Sequence, residues 1–178
     1  MFCQAKDISK EMDRLNYKNF EEFIQKLQQR VHWLMVAPIL AFIFLFIRIE
    51  NGGFHPLAGD HAVFNHLRII AASVSAIVVA LALVQFYVRL NRLRHLTGLR
   101  DRLDHYFLAT RLKDYLITAI LVLNLAGMGF TGDRFYTGLF GLTLVILLMG
   151  YPGHSRIMTS LKFNQPELDS ILNQEIIE

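Results

Sequence analysis

Four long stretches of this chain contain no charged side chain when histidine is left aside. They cover residues 31–47, 69–88, 115–132 and 135–155, and they measure 17, 20, 18 and 21 residues. A helix needs about 20 apolar residues to cross the roughly 30 Å hydrocarbon core of a bilayer. These stretches are apolar nearly all round, whereas a soluble bundle has polar faces on most of its helices. The sequence therefore predicts an all-α membrane protein with four transmembrane helices, TM1 to TM4, in a single domain.

The basic residues predict how these helices are oriented. Of the 18 lysines and arginines, fifteen fall in residues 1–30, 89–114 and 156–178, and three fall in the loops 48–68 and 133–134. Basic loops resist translocation, so the first group is expected in the cytoplasm. This predicts a multi-pass protein of the bacterial inner membrane with both termini inside.

Both ends of the chain have amphipathic patterns. Asn19 can cap a helix, and an apolar face follows it at helical spacing, made of Phe20, Phe23, Ile24, Leu27 and Val31. We interpret this segment as an interfacial helix lying along the lipid headgroups, with a docking helix for a partner as the alternative. Residues 156–178 predict a short amphipathic helix, with Leu168, Ile171, Leu172 and Ile176 on one side.

The segment between TM2 and TM3 is too long for a turn. Its leucine spacing predicts that both helices extend into the cytoplasm as a hairpin, with Gly98 as a helix C-terminal residue near its tip. Seven basic side chains lie in this segment, and we expect them to be solvated. The Arg89–Lys113 hairpin is expected to contact anionic lipid headgroups, with RNA or protein binding as the alternative; nucleic acid is not an expected partner. The short loop at Gly132 predicts a tight turn between TM3 and TM4.

The predicted spans contain few polar groups. Gln85 and Asn124 are the strongest, and interhelical hydrogen bonding is the expected role of each. A pore-lining role for Asn124 is the alternative. Proton pumps and ion-coupled transporters usually need an ionisable group in the bilayer, so its absence from these runs argues against both classes.

Small residues recur at helical spacing in two spans. TM2 has alanines four residues apart, and TM4 has a pair of glycines: Ala72, Ala76 and Ala80, then Gly138 and Gly141. Small residues let helices approach closely. We expect them to pack the four helices together, with contact to a second copy as the alternative.

Seven histidines raise the question of a metal or haem. His32 and His154 lie at span ends, which does not fit a bis-histidine haem inside the membrane. The outer loop contains His55, Asp60, His61 and His66, of which His61 and His66 have a spacing seen in zinc sites. No fourth strong ligand is visible there. We expect no metal, no cofactor and no catalytic residue.

One short motif suggests an enzyme. Arg100 and His105 in Arg100-Asp101-Arg102-Leu103-Asp104-His105 resemble the arginine and histidine of HEPN-type ribonucleases. In that family the pair flanks a scissile phosphate, because arginine can hold the phosphate and histidine can move protons. A membrane-tethered ribonuclease is therefore a further hypothesis.

The stretch Leu99–Leu172 also resembles a group of uncharacterised small membrane proteins of Bacteroidota. The similar features are Leu103-x-x-Tyr106-x-x-Ala109 before TM3, Thr131-Gly132 after it, and the tail Leu161-Lys162-Phe163-Asn164-Gln165-Pro166-Glu167-Leu168. The third span here begins Leu116-Ile117-Thr118-Ala119 and lacks the carboxylate found in that group. The resemblance implies the same four-helix architecture and no known activity.

These observations favour a non-enzymatic scaffold or accessory subunit, with another membrane protein as its partner. A homo-oligomeric channel or transporter component is the alternative, because the small-residue faces of TM2 and TM4 can also serve contacts between copies.

Overall fold

The computed structural model describes residues 17–52, 61–93, 98–161, 163 and 171. These residues form five helices and contain no strand, which confirms the all-helical fold. The helices are α1 (Phe20–Glu50), α2 (His61–Leu93), α3 (Leu99–Thr131), α4 (Arg134–Met149) and α5 (His154–Leu161).

Three of these helices are long and apolar enough to cross a membrane: α1, α2 and α3. The fourth apolar run extends to Ser155, but the helix α4 ends at Met149. The chain then bends by 69° into α5. Pro152 has no N–H to continue the helix and disfavours helical geometry at Tyr151, which accounts for the break. The two bent helices together meet the same length and composition test, so the described residues contain three candidate spans, or four if the bent pair counts as one.

The end of α1, the first part of α2 and the turn between α3 and α4 lie at one end of the bundle, which we call the opposite end. Arg68 of α2 pairs with Asp133, and Arg134 of α4 pairs with Glu50 of α1 at 3.0 Å. Asp133 also caps α4 by accepting a hydrogen bond from the Phe135 N–H. Gly132 ends α3 with a φ of 65°, a left-handed conformation that suits glycine. These contacts confirm the tight turn and the antiparallel pairing of α3 with α4.

The other end, which we call the basic end, contains a second hydrophobic core outside the apolar runs. Segments distant in the sequence meet there: the start of α1, the end of α2, the start of α3, and α5. The core residues are Tyr17, Phe20, Phe23, Ile24, Leu27, Leu90, Leu93, Leu103, Tyr106, Phe107, Ile157, Leu161 and Ile171. The apolar face before TM1 therefore packs against protein, and the interpretation as an interfacial helix along the headgroups is wrong. Asn19 does cap α1, by accepting the Glu22 N–H at 2.9 Å.

The small residues of α2 do not form the expected packing face. Ala76 and Ala80 are exposed, and the buried side of this part of α2 carries Ser75, Val79 and Ala82. Among the described residues, no atom lies within 4 Å of the position that a Cβ would take at Gly138 or Gly141. A periodicity of four residues selects one helix face but does not identify its neighbour.

Gly127 marks a close approach of α3 to α4. A methyl group at this position would overlap the Tyr136 ring, 2.5 Å from Cδ1 and 2.9 Å from Cζ. We expect Gly127→Ala to lower the free energy of unfolding by about 1–3 kcal/mol, the usual cost of overpacking. Gly129→Ala is the matched control, because its methyl group would lie 3.9 Å from Leu45 in ordinary contact. Unfolding in detergent, followed by circular dichroism, measures both; equal stability of the two variants would contradict the close approach.

Candidate functional site

Charged side chains are buried at the basic end, in the part of α3 that directly precedes its apolar run. Lys113 is 4% exposed and Asp114 is 1% exposed. The Lys113 Nζ lies 3.3 Å from Asp114 Oδ1 and donates to the Gly150 carbonyl at 3.3 Å. It also lies 4.9 Å from the centroid of the Phe86 ring. The ammonium is therefore held by α2, by α3 and by the bend that follows α4.

Glycine at the bend leaves room for this lysine. A Cβ at Gly150 would lie 2.8 Å from the Lys113 Nζ. A larger residue would push the ammonium away from the carbonyl it contacts. The glycine thus has a packing role in addition to ending α4.

Asp114 is the least solvated charge in this group. Burial raises the pKa of its carboxyl above the usual value, and the neighbouring Lys113 ammonium opposes that rise. Its Oδ2 atom has no hydrogen-bond partner among the described residues. Lys113 is therefore the main compensation for the charge of this carboxylate, with a smaller contribution from Arg30.

The side chain of Arg30 connects α1 to this part of α3. Its guanidinium lies between two rings of α3, 4.9 Å from the centroid of Phe107 and 4.9 Å from that of Tyr115. Such cation–π contacts are strongest where water is excluded. Burial lowers the pKa of the Arg30 guanidinium, while Tyr115 and Asp114 raise it. We refer to Arg30, Lys113 and Asp114 as the buried charge cluster.

A second buried cation joins α3 to the end of α5. Arg102 is 4% exposed, its Nη1 donates to the Leu161 carbonyl at 3.4 Å, and it lies 5.7 Å from the Phe163 ring. A cation at a helix C-terminus is also favoured by the helix dipole. The expectation that the hairpin cations are solvated is therefore wrong for Arg102 and Lys113. Gly98 also differs from expectation, because it precedes α3 as its N-cap.

The two residues of the ribonuclease-like motif lie apart on α3. Arg100 stacks on the buried Tyr17 ring at 5.3 Å, while His105 is exposed and its Nδ1 lies 2.8 Å from the Asp101 carbonyl. Five residues on a helix correspond to about 140° of rotation, so the two side chains leave α3 in different directions. RNA cleavage stays a prediction. Within one chain, Arg100 and His105 are poorly placed to contact the same phosphate.

Tyr17 anchors the segment before α1 beside this motif. It is 2% exposed, and its hydroxyl donates to Asp104 Oδ1 at 3.1 Å. Burial raises the pKa of the Tyr17 phenol well above its usual value, and the Asp104 carboxylate adds to the rise. The phenol is therefore a structural donor at neutral pH.

The histidines do not gather into a site within the described part of the chain. His55 and Asp60 lie outside the described residues, as does the side chain of His61. His32, His66 and His154 are exposed. Among the described residues, no group of three or more histidine, cysteine, aspartate or glutamate side chains is arranged to hold a metal ion.

Asn124 links three helices inside the apolar runs. It is fully buried, its Oδ1 accepts from Ser75 of α2 at 3.5 Å, and its Nδ2 donates to Thr143 of α4 at 3.5 Å. Interhelical hydrogen bonding, the expected role, is therefore confirmed for this residue. Gln85, for which the same role was expected, is exposed.

The buried charge cluster was not predicted from the sequence, because Lys113 was expected to be one of seven solvated cations. The signal available was an adjacent lysine and aspartate immediately before an apolar run. Chemically, the cluster pairs Lys113 with Asp114 and holds the Arg30 cation between two aromatic rings, so it joins α1 and the bend after α4 to α3. Comparisons with protein-family models, with curated proteins and with solved structures found no match to this chain.

Proposed function

We propose that this chain is a non-enzymatic scaffold or accessory subunit of the bacterial inner membrane, which binds a membrane protein partner through its basic end. The observation that supports it is the hydrophobic core at that end. Four segments pack there around apolar residues and buried charges, which holds a basic surface rigid beside the bilayer. Rigid surfaces bind partners at a lower entropic cost than flexible ones.

The proposal includes four spans with both termini in the cytoplasm. In this arrangement α4 is the fourth crossing, spanning about 24 Å at 1.5 Å per residue, and the bend after it returns α5 to the basic end. That length matches a thin region of bilayer. The excess of basic residues at one end supports the orientation.

Exposed arginines at the end of α2 are the natural contacts for an acidic partner. Arg89 and Arg92 are both exposed on this helix. Affinity capture of the tagged chain from native membranes is expected to yield a stoichiometric membrane partner. Arg89→Glu with Arg92→Glu is expected to reduce that recovery at least about tenfold, because like charges are then opposed across the interface.

The control for this capture is Arg48→Glu, since Arg48 is an exposed arginine near the opposite end. It is expected to leave recovery unchanged. If the wild-type chain captures no partner, or if all variants capture equally, the proposed role of the basic end is contradicted.

A homo-oligomeric channel or transporter component is the second candidate. The exposed Ala76 and Ala80, together with the open space around Gly138 and Gly141, favour it, because small residues without a neighbour in one chain can contact another. The mass of the purified protein in detergent distinguishes the two. A monomer would contradict a pore assembled from copies.

A further inference from the structure

A groove runs between the end of α2 and the bent pair of α4 and α5. It consists of two adjoining hollows of about 340 Å³ and 400 Å³, which share Tyr87, Leu90 and Ser160. The hollows differ in chemistry. The larger part of the first is walled by Leu83, Phe86, Ile146 and Met149, whereas the second has the polar side chains of Asn91 and Thr159.

The groove crosses the boundary between apolar and polar sequence. On α2 it extends from Leu83, inside the apolar run, to Asn91 beyond it, which is about 12 Å along a helix. Tyr87 lies between them and is 65% exposed. Tyrosine is enriched where a bilayer meets water. The apolar hollow therefore faces the hydrocarbon region and the polar hollow faces the headgroups.

Two cations line the groove near that boundary, and no acidic side chain is among its described lining residues. Lys113 reaches it from α3. Arg156 is exposed at the start of α5, and its Nη1 donates to the Met149 carbonyl. A guanidinium has five N–H donors in a planar fork, so it can hold this carbonyl and a phosphate oxygen together.

We propose that this groove binds one phospholipid with an anionic headgroup. An acyl chain lies against Leu83 and Ile146, the phosphate is held by Arg156 with Lys113 behind it, and the headgroup contacts Asn91 and Thr159. The order of apolar, cationic and polar groups along the groove matches the order of parts in such a lipid. Exposed walls at Tyr87 and Met149 open the site toward the bilayer, from which a lipid enters directly.

This site does not depend on the proposed scaffold role, because it needs no protein partner. A solvated basic surface attracts anionic lipid weakly and without a fixed position. A groove with an arginine at its boundary instead selects one lipid and keeps it through purification. The experiment therefore measures retention of individual lipids and not general membrane attachment.

The test is native mass spectrometry of the detergent-purified full chain with added phosphatidylglycerol or phosphatidylcholine. We expect one phosphatidylglycerol to bind at least about tenfold more tightly than phosphatidylcholine. Arg156→Gln is expected to weaken phosphatidylglycerol binding about tenfold, which corresponds to the loss of one charge-assisted hydrogen bond. Arg48→Gln removes the same charge from an exposed position near the opposite end, away from the groove, and is expected to change binding by less than about twofold.

A second variant separates binding from folding. Ser160→Phe fills the groove without changing charge and is expected to abolish retention of the lipid while the unfolding temperature without lipid stays unchanged. Millimolar inorganic phosphate is expected not to displace the lipid, because it cannot use the apolar hollow. Equal loss in Arg156→Gln and Arg48→Gln, equal binding of the two lipids, displacement by phosphate, or full retention in Ser160→Phe would each overturn the proposal.

Discussion

Lys113→Met is expected to lower the free energy of unfolding by about 3–5 kcal/mol, the usual cost of removing one partner of a buried ion pair. Methionine keeps most of the length of the lysine side chain but carries no charge, so the buried Asp114 carboxylate loses its ion-pair partner and Arg30 is the remaining cation of the cluster. Unfolding by increasing sodium dodecyl sulfate in mixed micelles, followed by circular dichroism, measures the loss. Adding Asp114→Asn is expected to recover most of it, because the amide carries no charge.

The loss in Lys113→Met is also expected to depend on pH. Burial raises the pKa of Asp114, so the folded state takes up a proton more readily than the unfolded chain, whose carboxyl titrates near its ordinary 3.8. A raised carboxyl pKa makes stability fall as pH rises from the unfolded value through the folded one. The deficit of the variant should therefore be small at the acidic limit and grow toward neutral pH. A deficit independent of pH, with no recovery in the double variant, would contradict a charged Asp114 partnered by Lys113.

Phe23→Ala is expected to cost about 3–5 kcal/mol, the range for truncating a fully buried phenylalanine. Phe23 is 0% exposed, and its ring lies 5.0 Å from that of Tyr17 within the core of the basic end. Phe44→Ala in the same helix is the matched control, because Phe44 is 62% exposed and faces outward. It is expected to change stability by less than about 0.5 kcal/mol. The same detergent unfolding experiment compares the two.

The pair of phenylalanine variants distinguishes two structures for the segment before TM1. If that segment lay along the headgroups, both substitutions would remove a lipid-facing ring and would have similar, small effects. Equal stability of Phe23→Ala and Phe44→Ala would therefore contradict the core at the basic end. A large difference is expected, since only Phe23 has protein on all sides.

Local patterns in the sequence were sufficient to predict where most of the helices lie. Uncharged runs place α1, α2 and α3, because a bilayer requires a minimum apolar length. Asn19 and Gly132 were recognised at helix ends, since capping and left-handed turns depend on residues close in sequence. The uncharged run alone does not mark the end of α4, because Tyr151 to Ser155 contain no charge, whereas Pro152 marks it from within the run.

The sequence alone could not predict which distant segments are in contact. The spacing of Phe20, Phe23 and Leu27 identifies an apolar face, but a lipid surface and a protein core satisfy such a face equally well. Lys113 was placed among solvated cations for the same reason: its burial depends on Asp114 and on Gly150, which is 37 residues away. The periodicity of a single sequence does not show that Lys113 and Gly150 are in contact.

The measurement that tests the account most directly is the side of the membrane on which each end lies. In a Cys3→Ser background, which removes the single cysteine, Glu21→Cys, Asn51→Cys and Thr159→Cys place one exposed thiol each on the start of α1, the end of α1 and α5. We expect a membrane-impermeant maleimide to label Asn51→Cys in intact bacteria, and to label Glu21→Cys and Thr159→Cys only after permeabilisation. Labelling of Glu21→Cys and Thr159→Cys from opposite sides would mean an odd number of spans and would contradict a basic end folded on one side of the membrane.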